Sequence, residues 1–108
     1  MAETGSTIRV TGGSREAREA FRERLRWLLV RDPDAPAYDE AHSGSALEYR
    51  LAAGAGLPFP SLVEASREFG FLRVAAEWPA TGRAKAGRVA FEGGVIVEKV
   101  DLPPEPSA

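Results

Sequence analysis

The stretch Arg88-Val-Ala-Phe-Glu-Gly-Gly-Val-Ile-Val-Glu-Lys-Val100 constrains this chain more than any other. Two β-branched, apolar runs flank Gly93-Gly94. Glycine reaches positive φ without a Cβ clash, so the pair predicts a tight hairpin turn. Two registers are open. A two-residue loop sets Phe91 opposite Ile96 and Val89 opposite Glu98. A three-residue loop sets Phe91 opposite Val95 and Val89 opposite Val97, which makes one face wholly apolar. A slip of one residue exchanges the buried set. The three-residue loop is preferred because it buries no carboxylate and leaves Glu98 toward solvent beside Ile96 and Val100.

The rest of the chain reads as elements that cover this hairpin. Thr7–Thr11 alternates, with Ile8 and Val10 on one face, as a short strand does. Gly12-Gly13 ends it, and Ser14 is placed to cap a helix. Ala17, Phe21, Leu25, Leu28 and Leu29 recur at helical steps over Arg15–Val30, with Arg18 among the charged residues around them. Asp32-Pro33 stops that helix. Residues 32–44 then read as an acidic loop, with room for a short strand or a helical turn near Tyr38. A strand over Ala46–Ala52 turns Leu47, Tyr49 and Leu51 one way. A second helix starts at Pro60 or Ser61 and ends at Gly70. Leu72, Val74, Ala76 and Trp78 mark the inner face of the next strand.

The order β-α-β-α-β-β-β predicts an α+β two-layer sandwich. Its sheet, mixed or antiparallel, has about five strands and carries both helices on one face, ferredoxin-like or a variant of it. At 108 residues the chain suits a single domain, with residues 1–6 and 102–108 as tails. The stretch 46–100 resembles the small ferredoxin-like proteins of the YubB type. The residues concerned are Leu57-Pro-Phe-Pro-Ser61, Arg67-Glu-Phe-Gly-Phe71 and Phe91-Glu-Gly-Gly94. The tryptophan-rich strand of that family is replaced by Leu47-Glu-Tyr-Arg-Leu51. The resemblance implies a fold and no activity or site.

Composition excludes several chemistries. There is no cysteine, hence no disulfide, no zinc–thiolate site and no thiol nucleophile. No apolar run reaches membrane-spanning length, and the N-terminus is too polar for a signal peptide. A cytoplasmic location, no membrane contact and no cofactor are expected. The net charge of −2 argues against general nucleic-acid binding. Charge is unevenly placed, however. Seven arginines and three glutamates lie between Arg9 and Arg31, and five acids and no base between Asp32 and Glu48. The two regions are expected to neutralise each other.

Three constellations are candidate sites. Gly54-Ala-Gly56, between a strand and a helix, offers backbone N–H groups to an anion. It lacks the glycine and Gly-Lys-Ser/Thr positions of nucleotide loops, because position 59 is Phe59. Asp32, Asp34, Asp39, Glu40 and His42 form an acidic loop that matches no calcium or zinc spacing. Arg9, Arg50, Arg73 and Arg88 point away from the helices with Glu48, Glu77 and Glu98, a face for an anion or RNA if it were not paired internally.

The expected function is therefore a non-enzymatic, self-associating or protein-binding domain. The final strand, through Val95, Ile96, Val97 and Val100, is its expected interface, with a homodimer as the expected state. Anion or nucleic-acid binding through the arginine face is the first alternative, and a small enzyme around His42 the second.

Twelve arginines against two lysines, and no Asn or Gln, fit either a thermophile or a GC-rich genome. The thermophile reading predicts a melting midpoint above the ~45–65 °C of mesophile domains. A cooperative calorimetric transition within or below that range would leave codon bias as the explanation.

Overall fold

The computed structural model describes residues 5–33, 37–52, 57–79 and 86–101. Among these residues, six strands and two helices follow in the order β1 (Thr7–Thr11), α1 (Arg15–Val30), β2 (Tyr38–His42), β3 (Ala46–Leu51), α2 (Phe59–Glu68), β4 (Arg73–Trp78), β5 (Gly87–Glu92) and β6 (Val95–Asp101). The strands form one sheet in the order β2-β3-β1-β4-β5-β6, and every neighbouring pair is antiparallel. The fold is α+β, with an open antiparallel sheet.

The expected count of about five strands is corrected to six. The added strand, β2, lies inside the acidic stretch. Its alternation is hidden because the inward positions Tyr38, Glu40 and His42 are mostly polar. Pairing with β3 creates the strand, with Tyr38 opposite Leu51 and His42 opposite Leu47. Ser43 tightens the intervening turn, its hydroxyl accepting from the N–H groups of Ala46 and Ser45.

Alternation on each strand sorts the sheet into two faces. Ile8, Val10, Leu47, Tyr49, Leu51, Val74, Ala76, Val89 and Phe91 are buried on one face. Phe21, Leu25 and Leu29 of α1 and Leu62 and Ala65 of α2 join them in a single core. Phe21 meets Phe69 edge-on at 5.9 Å between centroids. Ser14 caps α1 by accepting from the Ala17 N–H at 3.1 Å. Gly5 and Ser6, expected in the N-terminal tail, pack beside the end of β3, where the Ser6 carbonyl accepts from the Leu51 N–H.

The hairpin register also differs from the preferred one. Gly93 and Gly94 sit at φ +61° and +79°, as a two-residue turn with both central residues left-handed requires. Phe91 therefore faces Ile96, not Val95. A bulge follows, so Ala90 faces Glu98 and Val89 faces Lys99. The extra residue, Val97, removes the objection to this register, because it moves Glu98 off the buried face and onto the polar one. Tertiary contact anchors the turn: the Gly94 N–H donates to the hydroxyl of Ser66, a buried residue of α2, at 3.0 Å.

Phe21 is wholly buried at the middle of α1. Phe21→Ala is expected to lower stability by about 3–5 kcal/mol, read as a fall in denaturant midpoint. A variant that unfolds with the parent would contradict this core.

Candidate functional site

Three surfaces collect the residues that sequence reasoning singled out. The first is the sheet face opposite the helices. Arg9 and Arg50 reach it from β1 and β3, Arg73 from β4 and Arg88 from β5, all in phase with one another. Asp39, Glu48, Glu77, Glu92 and Glu98 share this face by register, so carboxylates outnumber guanidinium groups. Glu98 receives Arg73 at 3.1 Å on one oxygen and Arg88 at 3.2 Å on the other. Arg9 lies 3.6 Å from Glu48. Arg50 stands between Thr7 and Asp39 in register.

The cross-strand pair Ala75–Ala90 leaves a hollow of about 220 Å³ in this face, walled by Thr7, Arg9, Arg73, Glu77, Arg88 and Glu98. Among the described residues, the aromatics of the sheet, Tyr38, Tyr49, Trp78 and Phe91, fall on the opposite, inward phase of their strands. Phe71, exposed just before β4, has its ring 6.4 Å from that of Phe69. The arrangement suits cross-strand ion pairs more than a stacking platform.

The second surface joins α1 to β2. Arg22 Nε donates to Glu40 Oε1 at 2.7 Å, and its Nη1 donates to Glu19 Oε2 at 3.0 Å. This is the expected meeting of the basic helix with the acidic segment. The imidazole of His42 is nearly buried beneath it, with Nδ1 3.2 Å from Glu19 Oε1. The orientation leaves both ring nitrogens without a hydrogen-bond partner among the described residues. Distance alone therefore relates His42 to Glu19. His42 and Arg22 hold the Glu19 carboxyl below its ordinary value of 4.5. Burial pushes the Tyr49 phenol well above its ordinary value, with the Glu40 charge adding to the effect, so Tyr49 stays neutral.

Asp34 lies outside the described residues. Among those described, no three His, Cys, Asp or Glu side chains group as metal ligands. Ser43, adjacent to His42, bonds to Ala46 rather than to the ring.

Arg18, expected among the charged residues around the apolar stripe of α1, is a correction. It is buried. Its Nη1 donates to the carbonyls of Gly12 at 2.8 Å and Gly13 at 3.3 Å, and its Nη2 to that of Gly44 at 2.7 Å. One guanidinium thus pins the β1–α1 turn to the β2–β3 turn. The available signal was spacing: Arg18, Phe21 and Leu25 fall on one helical stripe.

The third surface is β6. It pairs only with β5 among the described residues, so it forms an edge of the sheet opposite β2. Val95, Ile96 and Val97 are 64%, 54% and 47% exposed. Val100 pairs with Arg88 in the ladder. Gly54 and Gly56, the anion candidates between β3 and α2, lie outside the described residues. Among the described residues, no helix is long and apolar enough to cross a membrane.

The chain matches no family model, no curated protein and no solved structure.

Two measurements check these surfaces. In a low-salt mobility-shift assay, RNA binding is expected to be weak at most and insensitive to sequence. Tight binding that survives moderate salt and disappears in Arg50→Ala would make the arginine face a nucleic-acid site. The Glu19 carboxyl titrates lower in the folded chain than in the unfolded one. Its contribution is therefore complete above the ordinary value of 4.5 and is lost as pH falls through the folded value. Denaturant midpoints of the parent should fall more steeply below that pH than those of Glu19→Gln. Parallel curves would show that the Glu19 cluster is not coupled to folding.

Proposed function

We propose that this chain is a non-enzymatic protein-interaction domain that associates with a second copy of itself along β6. The observation that carries this reading is the run Val95, Ile96 and Val97, three consecutive apolar residues about half exposed or more on a terminal strand. An apolar edge with free N–H and C=O groups is a template for pairing that proteins normally blunt by charge, bulge or cover. Here β6 has a bulge at Val97, and Glu98 and Lys99 beyond it, so its N-terminal half is the unblunted part. Side-chain packing of Val95, Ile96 and Val97 about a two-fold axis uses that half, with strand pairing limited by the bulge. Val100 belongs to the same reading as a further interface residue.

Within this reading the domain is a ferredoxin-like unit extended by a hairpin. The alternation β1-α1-β2-β3-α2-β4 and the partial order β2-β3-β1-β4 support that assignment. The β5–β6 hairpin then adds two strands beside β4. The resemblance of residues 46–100 to YubB-type proteins points the same way, and a cytoplasmic location remains part of the proposal. Binding of nucleic acid through Arg9, Arg50, Arg73 and Arg88 is less supported, since three of the four already have carboxylate partners. A catalytic role for His42 is less supported too, as its ring is nearly buried.

Light scattering of the purified parent is expected to give a dimer, and Ile96→Lys to shift it toward monomer. Val97→Pro reports how far backbone pairing contributes. A parent monomeric at high concentration would sink the proposal.

A further inference from the structure

Helix α1 has a second stripe on the side away from the core. Glu16, Ala20, Glu23, Trp27 and Val30 follow at steps of four and three residues, all of them exposed. This is the spacing by which one helix meets another along a seam. Trp27 is 49% and Val30 79% exposed. The guanidinium groups of Arg24 and Arg31 lie 4.8 and 4.4 Å from the Trp27 ring centroid. Arg24 is itself held by Glu68 at 2.6 Å, so the tryptophan is buttressed in a fixed pose. A restrained aromatic side chain loses little entropy on docking, and Trp is the residue type most enriched among interface hot spots.

The charges along this surface are divided by helix half. Glu16 and Glu23 occupy the N-terminal part, and Arg24 and Arg31 flank Trp27 in the C-terminal part. Arg15, Glu19, Arg22 and Arg26 follow at steps of four and three on the flank toward β2, where Arg22 is bound to Glu40 and Glu19 lies against His42. A parallel copy would set like charges together. An antiparallel copy sets the acidic half against the basic half twice over.

We propose that α1 docks antiparallel on α1 of a second copy, with Trp27 of each helix seated beside Ala20 of the other. Ala20, the smallest residue of the stripe, leaves the space that the indole fills. This surface belongs to the helix layer and does not rest on the association proposed for β6. Two separate two-fold contacts on one chain would join dimers into larger assemblies.

The test is sedimentation velocity over a concentration series, with the full chain carrying Ile96→Lys so that β6 association is removed. One helix pair falls at the small end of specific interfaces, so association is expected at roughly hundreds of micromolar. Trp27→Ala in that background should weaken it about thirtyfold or more. Glu16→Arg should weaken it about tenfold, and adding Arg31→Glu should restore it. Circular dichroism establishes that each variant is folded. An Ile96→Lys chain still monomeric at about 1 mM would overturn the proposal. So would equal affinity in Trp27→Ala, or a double reversal no tighter than the single one. A monomer whose Trp27 emission shifts only with a Glu/Leu peptide would also overturn it, by giving the face to a different protein. Parent and Ile96→Lys chains that associate equally would instead remove the β6 interface and leave this one standing.

Discussion

Burial of one face of the sheet under two helices is the constraint from which the other features follow. Side chains alternate along a strand, so six strands that agree on one inward face must also agree on one outward face. Ile8, Val10, Leu47, Tyr49, Val74 and Phe91 meet α1 and α2. Arg9, Arg73, Arg88 and Glu98 are then brought together on the other side with no choice of their own. The polar face is a consequence of the core. Its ion pairs are at most modestly stabilising, as exposed pairs are. Their more definite effect is to match cation with carboxylate across neighbouring strands.

The layers are tied at one end by Arg18. Burying a guanidinium costs solvation, which three carbonyl acceptors offset. Two of these belong to the turn leading into α1 and the third to the β2–β3 turn. The edge strand β2, whose inward residues are mostly polar, is held to α1 by this contact and by Arg22–Glu40 rather than by a wide apolar seam. At this edge, hydrogen-bond geometry does what apolar burial does at the centre of the sheet.

The opposite edge has the reverse character. Beyond β5 the chain adds β6, whose first three residues are apolar and exposed. A Gly93-Gly94 turn fastened to Ser66 fixes where this strand begins, and the bulge at Val97 fixes which of its residues face Arg73 and Arg88. The edge is thereby a defined surface rather than a frayed end, which is what a repeatable protein contact needs. The outer stripe of α1 is a second such surface, with Trp27 held by its flanking arginines.

Local pattern determined much of this protein. The limits of α1, its Ser14 cap, the inward residues of β1, β3 and β4, and the outward arginines can be read from spacing, because each depends on a period of two or 3.6 within one element. Tertiary structure decided the rest. Strand β2 exists because β3 supplies its hydrogen-bond partners; Tyr38–His42 has no apolar alternation to announce it. The hairpin register depends on Ser66, distant in sequence, and on a bulge, since periodicity counts residues and cannot foresee an extra one. Arg18 lies on the apolar stripe of its helix, and burial of its charge draws on the Gly44 carbonyl, distant in sequence, together with those of Gly12 and Gly13. The Glu19–His42 contact likewise needed β2 to be placed before it could form.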